Sequence, residues 1–402
     1  MNAEQHVPPF RFKGFSDFWE QRKLSDLAMF NPRLELPDSF QYVDLESVSG
    51  TELINHRTET KSSAPSRAQR LAKKGDIFYQ TVRPYQKNNY LYEKSDDDYV
   101  FSTGYAQLRP YEDGYFLFSR LQENGFVSTV LDHSTGTSYP AINSNDLAKL
   151  EIMVPLNLNE QQAIGKLFRH IDNAIALHQH KLAKLKELKK GYLQKLFPQN
   201  GETVPEFRFK GYSDAWEKRK LTELSKNKIG GGTPSTKVLD FWNGKLPWLQ
   251  SSDINESNNY SVKPQKFISL QALKHSAAKR VPANSIAVVT RVGVGKLALI
   301  EYDYSTSQDF LSFSSLNWSA LFSVNLLTLI MTQMSRESQG TSIKGVTKSE
   351  LLAKKVRIPI SLKEQEKLGI LMKSINDLIA ATQHKVDLLK KLKQGYLQKM
   401  FC

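Results

Sequence analysis

The chain has 402 residues, 40% of them hydrophobic and 24% charged, with 55 Lys and Arg against 41 Asp and Glu for a formal charge of +14. That is enough chain for two or more cores and too apolar for a disordered tail, and the basic excess points to a polyanionic partner. The single cysteine, Cys402, excludes an intramolecular disulfide and a cysteine metal cage; no apolar run reaches membrane-span length and Met1 to Pro9 lacks a signal-peptide core, so cytoplasm is the expected compartment.

In chain order, the first distinctive block is Phe10 to Leu27, FRFKGFSDFWEQRKLSDL, which returns as Phe207 to Leu224, FRFKGYSDAWEKRKLTEL. Each copy reads as a short strand or turn ending at Gly14 or Gly211, then a helix start at Ser16 or Ser213, with Trp19 or Trp216 anchored in a core. From Ala28 to Pro155 the spacing predicts short strands at Phe40 to Val48, Asp76 to Val82, Tyr99 to Leu108 and Tyr115 to Leu121. Polar loops, Arg57 to Arg70 and Pro84 to Asp98, separate them. The region closes on Gly136, Thr137 and Ser138 and a run ending at Pro155.

Asn159 to Phe197 then carries a heptad seam: Ile164, Phe168, Ile171, Ile175, His178, Leu182, Leu185, Lys189, Tyr192 and Leu196. A stripe sustained without proline over more than four heptads predicts a helix about 57 Å long whose apolar edge needs a partner. The linker PQNGETVP, Pro198 to Pro205, ends it. A second region, Ser225 to Pro359, opens on IGGGTPST (Ile229 to Thr236), with strands predicted at Ser285 to Arg291 and Leu297 to Tyr302. It leaves through Gly340, Thr341 and Ser342, matching the first exit.

From Lys363 to Phe401 the seam is written again, 204 positions after its first copy: Leu368, Met372, Ile375, Ile379, Thr382, Val386, Leu389, Lys393, Tyr396 and Met400. The chain is therefore a tandem duplication of module plus long helix. The expected divisions are 1–155, 156–197, 198–206, 207–359 and 360–402. The helix partner closest to hand is the other copy, in an antiparallel pair in which His178 could oppose Lys393 and Thr382 could oppose Lys189, polar residues that fix register. The fold class is α+β, two globular modules joined by a long antiparallel two-helix coiled coil with a pseudo-twofold repeat. Helices and junctions stay alike while module interiors diverge, as suits two different targets gripped at a fixed separation.

Several fragments imitate catalytic motifs. VPPF, Val7 to Phe10, lacks the Asp or Asn that would accept hydrogen bonds from a target amino group in a methyltransferase. VGVGK, Val292 to Lys296, lacks the first glycine and hydroxyl of a phosphate loop and reads as a strand turn, and GGGTPST reads as a tight turn. Glu187 and Lys189 form a solvated charge pair rather than a nuclease fragment, Asp96 to Asp98 is a solvated loop, and His178 and His180 lie on different helix faces. No catalytic or metal-binding residue is expected.

Taken together, GGGTPST with FWNGKLPWLQSSDI (Phe241 to Ile254), the paired GTS exits, the helix starts at Glu160 and Glu364, and the helix ends KKGYLQKLF and KQGYLQKMF resemble the specificity subunit of type I restriction-modification systems. The first module departs from the pattern, with no GGTPS turn in Asn31 to Asp44. The resemblance implies a non-catalytic reader of double-stranded DNA, each module a target-recognition domain for half of a bipartite, asymmetric site. The coiled coil serves as ruler and as dock for two methyltransferase subunits, which restriction subunits join. Methyl donor, ATP and Mg belong to those partners, so no cofactor is expected in this chain.

Half-sites about one helical turn apart, phosphate contacts from basic residues and base contacts from Arg, Asn, Gln, Ser or Thr on module loops fit that role. The candidate DNA contacts are Arg83, Tyr85, Gln86, Lys87, Asn88, Ser138 and Tyr139 in the first module. In the second they are Thr233, Ser235, Thr236, Gln250, Ser251, Arg291, Lys296, Thr341, Ser342 and Lys344.

Overall fold

The computed structural model describes residues 7–199, 201–255, 258–338 and 345–401. It divides into two compact units, Met1–Leu177 with Lys385–Cys402, and His178–His384. The fold is α+β, and each unit takes a module together with part of both 38-residue helices, the central helix Leu158–Lys195 and the carboxy-terminal helix Leu362–Lys399. The boundary between the units thus falls within the helices rather than at their ends.

In the first unit, Ala28–Phe30, Tyr105–Pro110, Ile77–Gln80 and Tyr90–Leu91 form an antiparallel sheet. A second sheet orders Arg57–Thr60, Ser39–Val43, Tyr99–Ser102 and Ala68–Leu71. Two of those strands lie in the segment read from sequence as a polar loop. Arg57–Thr60 has almost no buried side chain, so alternation of apolar residues could not reveal it.

The FRFKG block does not lead into a helix at Ser16. Trp19–Lys23 is a strand paired antiparallel with Glu151–Pro155, and in the second unit Glu217–Lys220 pairs in the same way with Lys355–Ile358. Backbone pairing to a strand 128 to 141 positions away overrides the local Ser-Asp signal. Tyr115 to Leu121 is likewise not a strand: Gly114–Arg120 is helical, started by the Asp113 carboxylate accepting from the Phe116 amide at 2.7 Å. Its side chains from Tyr115 to Arg120 are all buried, which removes the one-sided pattern that would distinguish helix from strand.

The second unit carries the antiparallel sheet Ser225–Gly230, Phe310–Leu316, Ser285–Val289 and Leu297–Ile300, and a smaller sheet of Lys266–Ile268, Leu246–Leu249 and Ser305–Thr306. The glycines of IGGGTPST do not make a tight turn. None has a positive φ, and a Cβ on Gly231 or Gly232 would collide with the backbone of Ser307 or Ala277. They are there for close approach of chains.

The helices run antiparallel within each unit. In the first, Phe168 stacks on Phe401 at 5.6 Å and, further along, Asp172 meets Lys393 at 2.7 Å. In the second, Phe197 near the end of the central helix and Gly369 near the start of the carboxy-terminal helix both meet Phe322. Ile164, Phe168, Ile171, Ile175, Leu182, Leu185, Leu368, Met372, Ile375, Ile379 and Val386 are buried, while Tyr192, Leu389 and Tyr396 are half-buried. Lys393 bridges Asp172 rather than the His178 that heptad spacing opposes to it, and the Thr382 hydroxyl donates back to the Leu378 carbonyl at 2.7 Å. Lys189 is half-buried rather than solvated, and burial holds its ammonium below the ordinary lysine range.

Candidate nucleic-acid interface

Each unit gathers loops at the end of its main antiparallel sheet, and both gather them around a threonine. In the first unit, Thr81 directly follows the strand Ile77–Gln80. Its amide and hydroxyl both donate to the Gly104 carbonyl, at 3.0 and 2.8 Å, and its own carbonyl accepts from the Ile142 amide at 3.0 Å. Thr290 repeats this in the second unit. Its amide and hydroxyl donate to the Asp309 carbonyl at 2.8 and 3.1 Å, and its carbonyl accepts from the Val346 amide at 2.9 Å. Three chain segments are thereby pinned together in each unit through the amide, hydroxyl and carbonyl of one threonine.

The loop after Thr81 is shaped by residues at both ends of the short turn Pro84–Gln86. Arg83 and Lys87 flank it with φ of 54° and 55°, a left-handed geometry uncommon for residues other than glycine. The buried Gln80 side chain braces the loop from beneath, donating to the Val82 carbonyl and Gln86 Oε1 and accepting from the Asn88 amide. Val82 bridges Ala141, and the Arg83 amide donates to the Pro140 carbonyl at 2.7 Å.

Of the candidates here, Tyr85, Gln86, Ser138 and Tyr139 are exposed, Tyr85 at 49% and Tyr139 at 63%, while Arg83 is half-buried. The Arg83 guanidinium lies over the Tyr139 ring, 4.3 Å from its centre. Gln86, Lys87 and Asn88 hold the loop. Gln86 Oε1 accepts from Gln80, and Asn88 Oδ1 accepts from the Gly50 amide at 2.8 Å. The Lys87 ammonium turns inward to the Gln122 carbonyl at 2.8 Å and to Asn124 Oδ1, and burial pulls it below the ordinary lysine range.

In the second unit, Val292 to Lys296 makes the turn between the strands Ser285–Val289 and Leu297–Ile300, with Gly293 and Gly295 at φ +87° and +103°. Ser251 sits against this turn, 3.5 Å from where a Cβ on Gly293 would lie, with Lys296 beside it. Arg291 is exposed. The Ser307 amide donates to the Leu249 carbonyl and the Gly232 amide to the Thr306 carbonyl, which draws Thr233 and Gln250 to the same edge. Thr233 donates to Gln308 Oε1 at 2.6 Å, and the Gln250 amide to Asp253 at 2.9 Å. Ser235 and Thr236 lie further out, the Ser235 carbonyl accepting from the Trp242 indole at 3.0 Å. An open polar groove lined by Ser252, Asp253, Asn255, Ser261, Lys263 and Gln265 adjoins this edge. Thr341, Ser342 and Lys344 lie outside the described residues.

Sequence reading missed the two threonines and Gln308. The signal for the threonines was present, since each ends an apolar strand and precedes an arginine within two positions, as TVR and TR. It was hidden because Thr81 and Thr290 are not 204 positions apart as the helices are. Among the described residues no cluster of three His, Cys, Asp or Glu could hold a metal, and no helix is long and apolar enough to cross a membrane.

The fold and loops define a duplicated α+β protein in which each unit combines a polar loop cluster with part of two long antiparallel helices. Residues 17–187 and 213–391 both match the family described as type I restriction modification DNA specificity domain, and the chain belongs to that family. It is 25% identical over 185 residues to the MjaIX specificity subunit of Methanocaldococcus jannaschii, a stretch covering 44% of this chain and 41% of that one. To the EcoR124I/EcoR124II specificity subunit of Escherichia coli it is 26% identical over 266 residues, 63% of each chain. These alignments span about half the length of the two relatives. In fold, it is similar to the type I restriction-modification S subunit from M. genitalium, with a TM-score of 0.67 over 98% of this chain and 99% of that one at 14% identity.

Proposed function

We propose that the chain is the DNA-reading subunit of a type I restriction-modification complex, each module reading one half of a bipartite, asymmetric site in double-stranded DNA. The observation that carries this reading is the pair of threonine-pinned loop clusters. Their hydrogen-bonded frames are the same, while the side chains they present, Arg83, Tyr85 and Tyr139 in one and Thr233, Ser251 and Arg291 in the other, differ. A common frame with different outward groups is what reading two unlike sequences requires, and Arg, Gln, Ser and Thr supply the donors and acceptors that base edges match. The charge of +14 supplies sequence-independent attraction to phosphate.

In this reading the chain performs no chemistry. Methyl transfer and restriction belong to partners: two methyltransferase subunits dock on the long helices, restriction subunits join that core, and methyl donor, ATP and Mg bind those partner subunits. The test is to express the chain with its methyltransferase partner, obtain the methylated motif by sequencing, and measure binding to that site and to random duplex across a salt series. The expected result is a two-part motif and a site preference that persists while absolute affinity falls steeply with salt. Equal affinity for both duplexes would instead support a scaffold whose helices only assemble proteins. Methylation by this chain alone would also refute the proposal.

A further inference from the structure

Resting on the DNA-reading role, we infer that Arg83 reads a guanine in the half-site of the first module and that Tyr139 is the platform that aims it. Five other arginines of this unit, Arg11, Arg57, Arg109, Arg120 and Arg169, pair with carboxylates. Arg83 has no acidic or carbonyl partner for its side chain among the described residues, and its guanidinium rests instead on an exposed aromatic face. The ring supports the guanidinium from one side, 4.3 Å from its central carbon, and leaves the N–H groups free of any competing carboxylate among the described residues. Two parallel N–H groups so presented match O6 and N7 of guanine in the major groove.

The backbone makes the same arrangement. Arg83 is held at φ 54° with its amide on the Pro140 carbonyl, so the residue following Tyr139 anchors the residue that stacks on Tyr139. Left-handed backbone at a non-glycine residue persists only where its surroundings over-determine it, and here they do so to lay one side chain on one ring. Val292 is the second residue after Thr290, as Arg83 is after Thr81, and Ile343 stands 204 positions after Tyr139, so the two residue types are not repeated at these positions of the second module.

The experiment uses the complex of the full chain with its methyltransferase subunits. R83A, R83K and R83N are compared with wild type for the methylated motif and for binding to the cognate site and random duplex. Asn at position 83 keeps the left-handed backbone accessible, and a thermal melt of each variant checks the fold. All three should lose on the order of ten- to a hundredfold on the cognate site and little on random duplex, with the motif becoming degenerate at one guanine of one half-site only. Replacing that guanine with 7-deazaguanine should weaken wild type about tenfold and leave R83A unaffected, and Y139L should weaken cognate binding while sparing the other half-site.

Three results would overturn the assignment: an unchanged motif in R83N, equal losses on cognate and random duplex, or retention of discrimination by R83K. A wild-type complex with no preference for any site would overturn the DNA-reading role itself, a result distinct from any of these.

Discussion

The Arg208 guanidinium grips the Glu364 carboxylate with two hydrogen bonds, 2.7 and 2.9 Å long, at a place where Glu364 is 1% exposed. Arg11 and Glu160 form the same two-pronged pair in the first unit, at 2.5 and 2.7 Å. Each pins the FRFKG segment to the first turn of a long helix, where a carboxylate also suits the helix dipole. Removing one partner strands a buried charge, so E364A and R208A should each cost about 3 to 5 kcal/mol in chemical denaturation. The Glu364 hydrogen bond, stronger in effect than the opposing burial, pushes the Arg208 pKa up. The sign follows: a raised cation loses its stabilising role only as pH climbs through that raised value, so this contribution should be constant from pH 6 to pH 10. A pair-dependent fall in stability inside that range would contradict it.

The helix pairing is charged in one unit and unbalanced in the other. Asp172 and Lys393 meet at 2.7 Å, and Tyr115 adds a hydrogen bond to Asp172 at 2.9 Å. The positions corresponding to these two in the duplicate are Asn376 and Lys189. Asn376 is buried with its Oδ1 lacking a partner, and burial lowers the Lys189 pKa. N376D should restore the ion pair and stabilise the second unit by about 1 kcal/mol at pH 7. In wild type the unfolded chain holds the Lys189 proton to a higher pH than the folded one, so stability should rise as pH passes from the lowered folded value toward about 10.4. The rise should shrink in N376D. Melting curves of both proteins at pH 7 and 10 decide the matter.

Four helical glycines divide into two kinds. A Cβ at Gly165 would strike the Asp113 carboxylate that starts the adjoining helix, and one at Gly369 would lie 2.5 Å from Leu321 Cβ and 2.7 Å from the Phe322 amide. Gly191 and Gly395 have nothing within 4 Å. G369A should therefore cost about 1 to 3 kcal/mol through overpacking, while G191A and G395A should gain up to about 1 kcal/mol from helix propensity. Denaturation midpoints of the three variants test the contrast, which fails if all three move in the same direction.

Phe401 stacks on Phe168 and meets Trp19 and Phe116 edge-on or tilted, at 5.6 to 6.3 Å between ring centres. Phe197 occupies the corresponding place against Trp216 and Phe322. Each carries a long helix into a module core, so F401A should cost about 3 to 5 kcal/mol although it lies at the end of the chain. Hydrogen exchange should show the loss in the first unit's core, including Trp19–Lys23. Exchange unchanged there would mean that Phe401 packs only locally.

Much of this was legible in the residues. A four-three apolar rhythm has one physical meaning, a helix with a narrow face, and writing it twice with the same polar breaks announces two such helices. The shared FRFKG, GTS and GYLQK blocks gave the duplication, and the expectation that the helices run antiparallel agrees with the packing in each unit. The loop candidates were chosen by residue type alone. The structure separates them by partner, turning Lys87 inward to Gln122 and leaving Arg83 on an exposed ring.

Sequence by itself determined what depends on neighbours along the chain: helix periodicity, the repeat, and the absence of any cysteine framework. Tertiary structure alone decided what depends on residues far apart. Trp19–Lys23 became a strand because Glu151–Pro155 supplies its hydrogen bonds, and Gly114–Arg120 became a helix inside a core that buries it on every side. Thr81 and Thr290 became equivalent although insertions had moved them out of step. Spacing encodes a periodic face because backbone geometry is local, whereas a pairing partner is fixed only when the chain closes on itself and buried polar groups find their bonds.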